Sequence, residues 1–320
     1  MDLHQRTLRI GLTVILFSAV LRLFSGLPPV PEAPPELTEA ADTETGQIVR
    51  FPSFFGNFSP EFGESAAPLT QEPEIPCFSG DSGQKIQNAT TVRPDLDSLL
   101  RQPLTWDLEK MEPTVLILHT HTTESYTQKG EHYRETASYR TLEEDYNMLS
   151  IGDRVAELLV QKGISVIHDR TLHDYPSYNG SYAHARKTIQ TYLSRYPSIQ
   201  LILDLHRDAS EGSSGQLRTL AQDARCAQLM VVIGTNHDGF EENLSIGLKL
   251  QAQLETQSPG ITRPLQLRRS RFNQDLLPGA LLVEVGAAGN SHAEARAAAE
   301  QLARAVIALS RGTRPPENAA

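Results

Sequence analysis

The chain has 320 residues, 39% of them hydrophobic, enough for one domain of about 200 residues with appendages. A formal net charge of −10 argues against nucleic acid as a partner, because phosphate binding needs a basic face. Two cysteines, Cys77 and Cys226, are too few for a disulfide framework or a cysteine-built zinc site. The charge is also local: residues 31–76 hold nine Asp or Glu against Arg50 alone, nine negatives and one positive giving −8, and the rest is close to neutral.

In chain order, Arg6 and Arg9 precede an apolar run from Ile10 to Leu21, which Leu23 and Phe24 extend beyond Arg22. This reads as an export signal. Neither Ser18-Ala19-Val20 nor Phe24-Ser25-Gly26 makes a clean small-residue cleavage site, so residues 1–27 are taken as an uncleaved anchor rather than a cleaved signal peptide, with Arg22 snorkelling. The positive-inside rule then gives a single-pass protein of the cell membrane with everything after the anchor extracytoplasmic. Residues 28–110 carry Pro28, Pro29, Pro31, Pro34, Pro35 and more prolines among acidic and small residues, a composition that buries too little apolar area to order itself and reads as a stalk. Within it, Phe51, Phe54, Phe55 and Phe58 form either a docking segment or a patch that packs on the domain. Asn88-Ala89-Thr90 fits a glycosylation sequon, a triplet too common to carry weight.

From residue 111 strand and helix signals alternate. Strands are predicted at 115–118, 164–168, 199–205, 228–233 and 280–285, and helices at 148–161, 182–195, 241–255 and 292–309. Met148, Ile151, Val155, Leu158 and Leu159 recur at helical spacing and Gly163 stands where a helix ends. Asn290 or Ser291 suits the N-cap of the last helix, with Glu294 in its first turn. The expected fold is α/β: a single catalytic domain over 111–311, a mostly parallel twisted sheet with helices on both faces, and a disordered tail at 312–320.

Three apolar runs, VLILHTH at 115–121, LILDLHRD at 201–208 and LLVE at 281–284, each deliver a metal-capable or acid–base side chain where the run ends. Buried parallel strands read as such runs, and α/β enzymes gather their chemistry at the carboxyl ends of strands. Any single histidine has a bland explanation, and three coincidences at strand ends point instead to a metallohydrolase. His119 and His121, two apart in an extended segment, point to one face, so either binds a metal while the other orients substrate or stabilises the oxyanion. Asp204 shares a face with His206, as an acceptor for a ligand histidine or as a strand-end cap. His168, His173, His184, His237 and His292 have no motif support and read mostly as surface residues.

HTHTTESY at 119–126, YPSYNGSYAHAR from Tyr175, DLHRDA at 204–209, SRFNQDL at 270–276 and LLVEVGAAGN at 281–290 together resemble the stage II sporulation protein P family, over about Val115 to Leu309 and in the anchor, stalk and domain layout. More distantly, the pattern is similar to zinc N-acetylmuramoyl-L-alanine amidases of the third amidase family, whose late Glu-x-Gly followed by Asn matches Glu284, Gly286 and Asn290. The resemblance implies an amidase or phosphorylase-hydrolase-like fold, Zn2+ held by His121, Glu143 and His206, and Glu284 as catalytic base. His119 stands beside these as the oxyanion or substrate residue. Glu144 and Asp145 remain alternatives to Glu143. Arg207, Asp208 and Arg271 depart from the general amidase pattern; Arg207 or Arg271 grips a stem-peptide carboxylate, or one of them pairs with Asp208.

The resemblance also implies cleavage of the N-acetylmuramoyl-L-alanine amide of peptidoglycan, with peptide cross-links as a further target, in septal thinning and engulfment during endospore formation. The implied partners are a lytic transglycosylase and a membrane scaffold. The alternatives are another zinc amidohydrolase of the cell wall and a catalytically inactive peptidoglycan-binding or scaffold protein.

Overall fold

A computed structural model describes residues 48–51, 77–79, 83–127, 139–212, 215–222 and 225–312. The expected anchor at 1–27, most of the stalk and residues 313–320 lie outside these. Among the described residues no helix is long and apolar enough to cross a membrane.

Along the chain come β1 (Ile48–Phe51), β2 (Cys77–Ser79), β3 (Lys85–Asn88), α1 (Leu96–Arg101), β4 (Val115–Leu118), α2 (Met148–Val160), β5 (Val166–Asp169), α3 (Ser181–Arg195) and β6 (Leu201–Asp208). A short ladder of β7 (Glu211–Gly212) and β8 (Gly215–Gln216) follows, then β9 (Leu229–Gly234), α4 (Phe240–Gln257), β10 (Leu265–Arg268), a 3-10 turn at Gln274–Leu276, β11 (Ala280–Ala287) and α5 (His292–Gly312). The main sheet runs in the order β1-β5-β4-β6-β11-β9-β10-β3-β2. Its pairings are parallel except β11 with β9 and β2 with β3. The expected α/β domain with a mostly parallel sheet is what the chain forms.

The alternation of side chains along each strand sorts the core onto two faces. Val283, Val231, Leu265, Ile117 and Leu203 point to the face covered by α2, α4 and α5, where Ile151, Leu248 and Leu302 meet them. Leu116, Ile167, Ile202 and Ala280 point to the other, where Ala185, Ile189 and Tyr192 of α3 close over them. Both faces of the central strands are buried, which is why they read as unbroken apolar runs rather than alternating ones.

The stalk boundary at residue 110 is corrected by this packing. From residue 83 the chain belongs to the domain: β3 pairs with β10, and Ile86, Leu96, Leu99, Trp106 and Leu108 are all buried in the core. The backbone of residues 48–51 also lies along β5 as a parallel strand. Asn88, in the sequon, is buried; its side-chain oxygen accepts from the Thr90 amide and hydroxyl, an Asx turn closing β3. Ser291 caps α5 through a reciprocal pair, the Glu294 amide donating to Ser291 Oγ and the Ser291 amide to Glu294 Oε2, the capping box its sequence promised.

Candidate active site

β6 and β11 run parallel with His206 beside Glu284 in register, so both side chains leave the same face, just past the point where α3 stops covering it. The turn after β4 brings His121 and Glu124 to them: Glu124 N–H donates to His121 O at 3.1 Å, placing both side chains at one end of the sheet. His121, Glu124, His206 and Glu284 line a single cavity of about 770 Å³ with Tyr178 and Tyr182.

The rings of His121 and His206 stand 5.2 Å apart, edge to face. Burial lowers the pKa of His121 to about 4, with Glu124 opposing, so its imidazole is neutral near pH 7. Its ring stacks on Tyr178 at 4.6 Å. Burial works against charging His206 too, yet Asp204, Glu124 and Glu284 outweigh it and lift its pKa to about 9. Asp204 Oδ1 stands 3.0 Å from His206 Nε2 as an ion pair and accepts from the Thr120 amide at 2.8 Å, while its Oδ2 accepts from the Thr120 hydroxyl at 2.6 Å. Asp204 therefore serves both the His206 ring and the β4 turn.

Glu124 is buried, and burial raises its pKa; Arg207, His206 and His121 overcome that and hold it ionised. The Arg207 amide donates to its Oε2 at 3.2 Å, and His206 Nδ1 lies 3.7 Å from the same oxygen. Glu284 is different. Burial, reinforced by Glu124 and Asp208, pushes its pKa up to about 8, and its Oε2 is buried without a hydrogen-bond partner.

Several sequence-based assignments change. Glu143 is exposed on the loop before α2 and its neighbour Glu144 pairs with Arg170 at 2.6 Å on the surface; the carboxylate beside the histidines is Glu124. His119 lies under the sheet rather than in the pocket, fully buried, with Nδ1 3.1 Å from Leu205 O and Nε2 2.9 Å from His168 Nε2. Extended geometry ends at Leu118, so the two-residue period that placed His119 and His121 on one face no longer holds beyond it. Arg207 reaches the pocket wall, but its guanidinium donates to Ser125 O and Tyr139 O, each at 3.1 Å, which makes it a positioning group for Glu124. Asp208 pairs with Arg263 at 2.5 Å, and Arg271 faces Asp275. His168 and His173, read as surface residues, are buried; His168 Nδ1 meets Asp153 at 3.0 Å and His173 Nδ1 meets His119 O at 2.9 Å.

Gly286 and Asn290 of the late motif shape the exit from β11. Gly286 has φ +70, and a Cβ there would stand 2.9 Å from Ala227 Cβ and 3.0 Å from Asn290 Oδ1. Asn290 Oδ1 accepts from the Ala287 amide at 2.9 Å. They fix the turn that leaves Glu284 facing the pocket, and take no part in it.

Two imidazoles and a carboxylate, with a further carboxylate alongside, are the donor chemistry of catalytic zinc sites. The unpartnered Glu284 Oε2 is what a cation or its water would satisfy, since buried polar atoms otherwise find partners. By these marks the pocket suits such an ion, although among the described residues no three His, Cys, Asp or Glu side chains are drawn together as an assembled metal cluster.

Fold and pocket together define an α/β domain that gathers histidines and carboxylates where adjoining strands end. The chain belongs to the stage II sporulation protein P family, whose sequence model matches residues 65–307. It is 30% identical over 204 residues to stage II sporulation protein P of Bacillus subtilis strain 168, covering 59% of this chain and 49% of that one; the chain thus matches about half the length of this relative. Among solved structures it is similar to the N-acetylmuramoyl-L-alanine amidase AmiC2 of Nostoc punctiforme (14% identity, 62% of this chain and 97% of that one, TM-score 0.36). An N-acetylmuramoyl-L-alanine amidase from Clostridium difficile 630 (16%, 63% and 99%, 0.38) and a metallo-carboxypeptidase from Burkholderia cenocepacia (9%, 76% and 67%, 0.36) are comparably distant. Such likenesses are too remote to bear on the chemistry, which rests on the side chains described above.

Proposed function

We propose that this chain is a zinc-dependent peptidoglycan hydrolase that cleaves the N-acetylmuramoyl-L-alanine amide, with His121, Glu124 and His206 holding the metal and Glu284 as the acid–base residue. The observation that carries this reading is Glu284: a half-buried side chain with an elevated pKa and a buried, unpartnered Oε2, beside two histidines in an open cavity. Perturbed carboxylates in clefts are what proton-transfer chemistry requires. Bound there, zinc would supply a Lewis acid for the scissile carbonyl and an acidified water. Held as a carboxylate by the charge of such an ion, Glu284 would take the proton of the attacking water at Oε2 and return it to the departing amine nitrogen. Glu124 is kept ionised by the Arg207 amide and guanidinium, and Asp204 holds the His206 strand end against the β4 turn through Thr120.

A wall hydrolase works outside the membrane, and residues 1–27 as anchor followed by a proline-rich stalk would give the domain reach. Action in septal thinning during endospore formation, cleavage of cross-links, and partnership with a lytic transglycosylase and a membrane scaffold follow from family membership as parts of the same proposal. The test is incubation of the full chain with zinc and peptidoglycan, products identified by mass spectrometry, alongside His206→Ala. Stem peptides with new L-alanine amino termini, absent with the variant, sustain the reading. Cross-link cleavage alone would make it an endopeptidase, and metal-free protein that binds intact wall would hand the site to the binding-module alternative.

A further inference from the structure

The face that α3 covers over β4, β5 and β6 continues onto β11, β9 and β10, and there the α3 core cluster gives way to a cavity. Register fixes what lies along it. Glu284 stands opposite Met230 and Leu282 opposite Val232; Val232 is level with Gln266 and Gly234 with Arg268. Residues so paired share a face, and the side chains in this set all line the cavity that holds His206 and Glu284. Its floor is an apolar patch of Met230, Val232 and Leu282, packed against Phe272. The wall bearing Phe272 is pinned by Gln274, whose side chain accepts from Gly234 N–H at 2.8 Å and donates to Val232 O at 2.9 Å.

Because β9 and β10 run antiparallel to β11, the carboxyl end of β10 lies at the opposite end of this groove from Glu284. That end carries Arg268 and the exposed Arg269, both lining the cavity. From Glu284 to Arg268 is four residues along β9 and two strand spacings across, about 13 Å by 10 Å and so about 16 Å on the diagonal. An extended peptide covers that in four or five residues.

We infer that this groove seats a peptidoglycan stem peptide in extended form along its apolar floor, with the scissile end at Glu284 and the free C-terminal carboxylate held by Arg268 and Arg269. This rests on the proposed substrate and adds a length and an end-group requirement to it. Arg268 Nε donates to Gln266 Oε1 at 2.9 Å, and guanidinium groups take carboxylates in bidentate pairs. The two carboxylate-binding candidates of the sequence, Arg207 and Arg271, are turned to Glu124 and to Asp275.

The test is calorimetric binding to the full chain of three N-acetylated probes: a stem tetrapeptide acid, its C-terminal carboxamide, and the corresponding dipeptide acid. The tetrapeptide acid is expected to bind about ten-fold more tightly than its amide, the scale of one hydrogen-bonded charge pair, and the dipeptide acid no better than the amide. Arg269→Glu, at an exposed position, and the double variant Arg268→Ala with Arg269→Ala should each remove the acid's advantage and leave the amide's affinity unchanged. Equal affinities for acid and amide in the wild type, or a preference that survives both variants, overturn the inference. Acid preference without amide cleavage in the same preparations would sink the hydrolase reading and leave this one standing.

Discussion

One face of the sheet is treated in two ways. Over β4, β5 and β6 it is sealed by α3, and Leu116, Ile202 and Ala280 pack against Ala185 and Ile189. Over β11, β9 and β10 the same face becomes a groove, with Leu282, Met230 and Val232 as floor and charged groups at its ends. The candidate site sits on the border between the two, where His206 and Glu284 emerge from strands whose lower halves are already buried. Such a border gives rigidity and access together, because the side chains are anchored by core strands yet face an open cavity.

The largest expected effect lies on that border. Glu284→Gln should lower turnover by about 10³-fold, within the range of removed acid–base groups, with zinc content and melting temperature unchanged. Glu124→Ala should lose the metal itself. A Glu284→Gln enzyme with wild-type turnover, or a Glu124→Ala protein with full zinc, would dissolve the distinction between the two carboxylates.

Stability separates the sealed side from the groove. Leu116→Ala creates a cavity under α3 and should cost about 2–5 kcal/mol. Leu282→Ala opens toward the groove, which water can enter, and should cost about 2 kcal/mol, nearer the transfer term alone. Denaturant midpoints of the two variants measure the difference, and equal losses would show that the groove floor is sealed after all.

Gly152→Ala probes the opposite, helix-covered face. A Cβ there would stand 2.4 Å from His168 Nε2 and 2.6 Å from His119 Nε2, so α2 must shift or the histidine pair must part. The expected cost is about 1–3 kcal/mol, the usual penalty of overpacking, seen as a lowered melting temperature. An unchanged melting temperature would mean that the buried pair His119–His168 bears no packing load.

How legible this was varied with the kind of signal. The central strands and four long helices stand in the sequence as apolar runs and helical periods, and the runs ending at His206 and Glu284 lead to the candidate pocket. β3, α1 and β10 were missed because each is short, and the first two sit just beyond a proline-rich stretch whose composition masks Ile86, Leu96 and Leu99. Glu124 stands three residues after His121, a spacing one tight turn can close, but the resemblance to the distant amidase pattern points instead to the helix start at Glu143. His119 was misplaced for the complementary reason, since a strand's period was extended past the residue where the strand stops.

The smallest expected effect follows from that last contrast between neighbours in sequence and neighbours in space. Glu143 is exposed, its amide donating to Thr141 Oγ1 at 3.1 Å, and it does not line the cavity. Glu143→Gln should therefore leave turnover and zinc content unchanged and shift stability by no more than about 0.5 kcal/mol, as surface substitutions do. Glu124 and Glu143 stand nineteen residues apart in the chain, so nearness of the motifs in sequence gives no reason for Glu143 to reach the histidines. A loss of zinc in Glu143→Gln, measured beside an unaffected Glu124→Gln, would return the third ligand to the helix start and require the turn after β4 to be rebuilt around it.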